Sequence, residues 1–101
     1  MGIDLFNEER YWESHEALES VWLNASGREK ELLQGLILIA AALVHMQKDE
    51  DAVAVSILSR AVEKFRNSSG LYLGIEIAKL EETIRSMIAS CKPAVFKIEC
   101  S

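Results

Sequence analysis

The sequence predicts an all-α fold: an antiparallel bundle of about four helices, arranged as two helical hairpins, with a short extended C-terminal tail. Three observations carry this. Half of the 101 residues are hydrophobic, while there are five Gly and a single Pro, a balance that favours long helices and a filled core over a loop-rich fold. Apolar residues recur at helical spacing in four successive stretches. Short clusters of breakers separate those stretches, and short connections between long helices make sequential neighbours antiparallel. The length fits one domain spanning residues 1–101, within the range of about 50–250 residues common for domains.

The first helix is expected over residues 8–23, preceded by a short turn around residues 4–7. Asn24-Ala25-Ser26-Gly27 then breaks the chain, with Ser26 placed to cap the next helix and Glu29 three residues on to complete a capping box. The second helix is expected over residues 28–47. Its Leu32, Leu33, Leu36, Ile37, Ile39, Leu43 and Val44 cover nearly the whole circumference, which marks a central helix. Gly35 inside it lowers helix propensity, so a close helix–helix approach is the reason to expect for it. Asp49-Glu50-Asp51 forms the next corner, and the third helix is expected over residues 52–67, with Ala54, Ile57, Leu58, Ala61, Val62 and Phe65 inward. Gly70 and Gly74 mark turns. The fourth helix, residues 76–90, points Ile77, Leu80, Ile84, Met87 and Ile88 inward and stops at Pro93. In the tail, Val95, Phe96 and Ile98 are placed to pack back on the bundle.

Charge and composition exclude several functions. The net charge is −5, and no basic face of the kind nucleic-acid binding requires is visible. The acid is concentrated: in the first 24 residues Asp4, Glu8, Glu9, Glu13, Glu16 and Glu19 oppose one base, Arg10, an imbalance equal to that of the whole chain. A solvated helix face is the plain reading, and a surface for a cation or a basic partner the functional one. No secretory signal opens the chain, and the longest apolar run, residues 35–44, is shorter than the roughly 20 residues that span a bilayer; a cytoplasmic protein without membrane contact is expected. Cys91 and Cys100 lack metal-like spacing and read as reduced thiols. The apolar surplus makes a homo-oligomer or a protein partner the expected association.

The densest chemistry lies in Trp12-Glu13-Ser14-His15-Glu16-Ala17-Leu18-Glu19-Ser20-Val21-Trp22. His15 falls at the edge of the apolar arc, and Glu19, one turn on, is in reach of it as an i,i+4 pair. On the second helix Gln34 and His45 interrupt an otherwise apolar face. Antiparallel packing about the loop near Ser26 sets Gln34 beside His15 and Glu19 and carries His45 towards Glu8 or Trp12. A zinc protease needs His at both ends of H-E-x-x-H, but position 19 is Glu. A ferritin-like di-iron site needs two E-x-x-H pairs, but Trp12 precedes His15 and Ala42 precedes His45 at that spacing. A single divalent ion on His15, Glu16 and Glu19 stays open as a metal site. The plainer account is a hydrogen-bond network joining the first two helices. Trp12 and Trp22 flank the cluster and read as core before ligand platform. No activated nucleophile, Gly-rich phosphate loop or dinucleotide fingerprint is present, so no catalytic residue and no cofactor is expected. A non-catalytic interaction or self-associating module is the leading reading. The alternative is a small-molecule or divalent-metal binding protein, a hydrolase among the options, using His15, Glu16 and Glu19.

Phe6-Asn7, the run from Tyr11 through Glu19 with Trp22, then Leu33-Gln34-Gly35-Leu36-Ile37 and the Ala-rich stretch to His45 resemble the domain of unknown function 309 (DUF309) family of small bacterial and archaeal helical proteins. The similarity reaches Gly74-Ile75 and the fourth helix. H-E-x-L-E-x-x-W together with L-Q-G is far more specific than either alone. The resemblance implies a helical bundle with His15, Glu16, Glu19, Trp22, Gln34 and Gly35 as motif positions, and no established activity. Relatives often carry Gly before the Tyr where this chain reads Glu8-Glu9-Arg10, which implies a less sharply turned start to the first helix.

Overall fold

A computed structural model describes residues 2–66, 68 and 70–100. The chain is mostly helical, in the order α1 (Gly2–Asn7), α2 (Tyr11–Trp22), α3 (Gly27–Gln47), α4 (Asp51–Phe65), β1 (Leu71–Tyr72), β2 (Ile75–Glu76) and α5 (Ile77–Ser90). Five helices thus stand where about four were expected: the turn expected around residues 4–7 is a helix of its own, and the helix expected from residue 8 begins at Tyr11. Two aromatics explain the break between α1 and α2. On one continuous helix Phe6 and Tyr11 would lie about 140° apart at about 100° per residue, and they could not share a core face. The break puts both inside, ring centroids 5.1 Å apart and edge to face. Glu9 makes the turn with φ +64°, so the chain turns sharply here, against the less sharply turned start that the resemblance implied. Ser14 Oγ donates to Gly2 O at 2.7 Å, and Leu18 packs against Gly2 so closely that a Cβ there would fall 2.6 Å from Leu18 Cγ. α1 is thereby folded back onto α2.

α3 is the axle of the fold. Leu32, Leu33, Leu36, Ile37, Leu38, Ile39 and Leu43 are all buried, as a helix apolar on almost every side demands. Contacts at both ends show that it runs antiparallel to its neighbours. Near its start Lys30 sits over Trp22, and near its end Gln47 Nε2 donates to Glu9 O at 3.2 Å. On the other side Arg28 Nη2 donates to Arg66 O at 2.9 Å, satisfying a carbonyl just past α4. Gly35 makes the expected close approach: a Cβ would lie 2.6 Å from Phe65 Cζ. The expected capping box is absent. Ser26 occupies the N-cap in extended conformation without a side-chain cap bond, and Glu29 instead accepts from the Tyr72 hydroxyl at 3.1 Å. The expected end of the third helix at Asn67 lies outside the described residues.

Before α5, where the sequence marks only turns, the chain forms a β-hairpin. Leu71 pairs with Glu76 and Tyr72 with Ile75, and Leu73 and Gly74, both at positive φ, form the two-residue connection that matches strand twist. α5 ends at Cys91 in the left-handed region, with Lys92 N–H returning to Met87 O at 3.1 Å and Pro93 beyond. The tail then straps across the molecule. The Asn7 side chain pairs with the backbone of Ile98 in both directions, donating to its carbonyl at 2.9 Å and accepting its N–H at 2.7 Å. Phe96 meets Phe6 edge to face, Ile98 is buried, and Val95 is exposed. Cys91 and Cys100 are exposed and unbridged. No helix among the described residues is long and apolar enough to cross a membrane.

Candidate functional site

α2 is anchored by three buried side chains, Tyr11, Ser14 and Leu18, which recur at i, i+3 and i+7 and fix which way the rest of the helix faces. The Tyr11 hydroxyl is sealed in without a hydrogen-bond partner. Burial first, and the Glu9 carboxylate second, hold its phenol above the usual value of 10.0. Ser14 is committed to Gly2 O and is no nucleophile.

About 140° round from this anchor, Trp12, Glu16, Glu19 and Leu23 line up along the outer surface within an arc of about 60°. Leu23 extends the row because the helical backbone runs on through it: its φ is −58° and ψ −27°, and its N–H still returns to Glu19 O. Trp12, expected as core, is instead 58% exposed, and Leu23 is 68% exposed. Glu16 and Glu19 are exposed between them, and among the described residues neither carboxylate has an ion pair or hydrogen bond. Arg10, the one base of this stretch, is held by Glu8 at 3.6 Å and Glu13 at 3.1 Å. The row therefore has apolar ends and an uncompensated acidic middle. Trp12 and the two glutamates are singled out by the sequence; Leu23 enters there only as the last residue of the expected first helix. Its signal was there, eleven residues after Trp12 and so three helical turns along the same side.

The expected network of His15, Glu19 and Gln34 does not form. His15 instead lies flat against Trp12, ring centroids 5.5 Å apart and planes 2° off parallel. Half-buried, it keeps its Nδ1 sealed from solvent with no hydrogen-bond partner. Stacking gives the flat imidazole a large contact area, whereas pairing with Glu19 would draw an exposed carboxylate out of water at a desolvation cost. Gln34 is half-buried on α3, and no hydrogen bond among the described residues joins it to His15 or Glu19. Trp22 is half-buried, its Nε1 sealed and unpartnered, with Lys30 Nζ 4.2 Å from the ring centroid, a cation–π contact. His45 turns to its own corner, where its Nδ1 lies 2.7 Å from Glu50 Oε1; the neighbouring Gln47–Glu9 bond shows that this end of α3 does reach the start of α2. Among the described residues no group of three His, Cys, Asp or Glu side chains is gathered as a metal ion needs.

These features define a helical protein built round one central helix, with an outer helix that presents an apolar–acidic row to solvent. The chain belongs to the domain of unknown function 309 (DUF309) family, whose model matches residues 1–57. That stretch contains the whole of α1, α2 and α3, and with them every candidate residue named above. A crystal structure of a conserved hypothetical protein, TTHA0068, from Thermus thermophilus is similar over 87% of this chain and 92% of that one, with a TM-score of 0.73 and 32% sequence identity. No curated protein matches the chain. The comparisons carry a family and a fold, and no catalytic or specific function.

Proposed function

We propose that this chain is a non-catalytic interaction module that docks a protein on the outer face of α2. The observation that supports this is the row Trp12, Glu16, Glu19 and Leu23, in which two large apolar side chains stand in water on a helix otherwise well anchored. Trp is among the residues enriched at interface hot spots, and here a second large apolar side chain is exposed on the same side. The test is site-specific photo-crosslinking of the intact chain in cells, with benzoyl-phenylalanine in place of Trp12 and, as control, of Glu82 on α5. A protein adduct from position 12 that is absent from position 82 and lost with Leu23→Ser is the expected result. No adduct, or the same adduct from both positions, removes the proposal.

A second reading has an observation of its own. The sealed, unpartnered Nδ1 of His15 and Nε1 of Trp22 favour a small polar ligand between α2 and α3, since buried polar atoms are ordinarily paired. A thermal-shift screen of metabolites and divalent ions against the wild type and His15→Ala tests it, because a ligand specific for the folded state raises Tm. A rise that His15→Ala loses supports this reading; no rise, or the same rise in both proteins, removes it.

A further inference from the structure

Resting on the reading of α2 as a docking face, we infer that its occupant is a basic amphipathic helix of another protein, not a second copy of this chain. The row runs eleven residue steps from Trp12 to Leu23, about 16 Å at about 1.5 Å per residue, so it matches a partner helix of about three turns. Its ends call for apolar side chains. Its middle calls for positive charge: Glu16 and Glu19 are exposed and have no cation within ion-pair distance among the described residues, and the local bases are engaged elsewhere, Arg10 by Glu8 and Glu13 and Lys30 over Trp22. A partner with apolar residues about three turns apart and two Lys or Arg between them satisfies all four positions at once. The surrounding field has the matching sign, since the first 24 residues carry the entire −5 and steer basic partners inward.

Self-pairing fails on the same residues. A two-fold interface sets the same patch against itself. Whether the two rows ran parallel or antiparallel, Glu16 and Glu19 would meet Glu16 and Glu19, so acid would face acid at the centre, where like charges repel.

The test uses the full chain and three synthetic helical peptides of equal length. Each has apolar residues eleven apart; positions four and seven after the first are both Lys in one, both Gln in the second and both Glu in the third. Binding is read by Trp fluorescence and calorimetry. The Lys peptide is expected to bind, more weakly as salt rises, and the Glu peptide to bind worst. Glu16→Gln with Glu19→Gln should weaken the Lys peptide by about three- to tenfold, in line with two exposed ion pairs. Trp12→Ala should weaken it by about 30-fold, as a hot-spot truncation does, with circular dichroism and Tm confirming that each variant is folded. Equal binding of the Lys and Gln peptides overturns the basic partner while leaving the docking face standing. Sedimentation showing a wild-type dimer that Leu23→Ser dissolves also overturns it, in favour of a second copy. Failure of the Lys peptide to bind overturns the inference, and the crosslinking at position 12 then decides separately whether the docking face itself survives.

Discussion

α2 and α3 lie side by side, antiparallel, and use their surfaces in opposite ways. α3 buries ten of its 21 residues, spread round its circumference, whereas α2 buries three of its 12, all on one side. Leucines on α3 are core wherever they fall; Leu23 at the end of α2 stands in water. The lesson is that apolar residues on an anchored helix become informative once their direction is known. Single exposed apolar residues need no explanation, but Trp12 and Leu23 share a side and enclose two carboxylates without partners.

The largest expected effect tests the α3 side of this contrast. Leu43→Ala should destabilise the fold by about 2–5 kcal/mol, the range for emptying a well-packed core site, measured by urea unfolding. Next, Gly35→Ala should cost about 1–3 kcal/mol by overpacking, because the added methyl meets the buried ring of Phe65 at 2.6 Å; a neutral or stabilising outcome would mean that α3 and α4 separate more easily than the close approach implies. On α2, Leu23→Ser should change stability by no more than about 0.5 kcal/mol while abolishing the crosslink from position 12. A large loss of stability would show that Leu23 belongs to the core after all.

The smallest effect concerns the hairpin and its link to α3. Burial first, and then the hydrogen bond to Glu29 and its negative charge, push the Tyr72 phenol up to about 12. The folded chain thus holds this proton more tightly than the unfolded chain, whose phenol titrates near 10. The stability this contributes is fully present below pH 10 and is lost as pH rises through about 12. Absorbance titration at alkaline pH should show Tyr72 ionising above its ordinary range, and Glu29→Gln should bring it down; a midpoint near 10 in the folded protein would break the Tyr72–Glu29 link.

Much of this could be read in advance. The central helix, the reason for Gly35, the corner after Gln47, the stop at Pro93 and the packing of Phe96 and Ile98 all follow from periodicity and breaker chemistry, which act locally. The separate α1 and the late start of α2 were harder to see, because they depend on burying Phe6 together with Tyr11 and on Glu9 accepting a positive φ. The hairpin escaped for a related reason: Leu73 at φ +55° is a conformation that a leucine does not announce. At the candidate site the residues were found but their pairing was not. A helix allows His15 to meet either Trp12 at i−3 or Glu19 at i+4, and sequence spacing does not choose between them.

The sequence by itself determined the helical class, the family resemblance and the identity of the central helix, because hydrophobic period and breakers act within a few residues of chain. Tertiary structure decided what those few residues leave open. It stacked His15 on Trp12, gave His45 to Glu50 and Glu29 to Tyr72, and bound the tail to Asn7. It also left to solvent the face that Trp12 and Leu23 share. Each of these is a competition between partners of comparable local merit, and it is settled by where burial brings distant segments together.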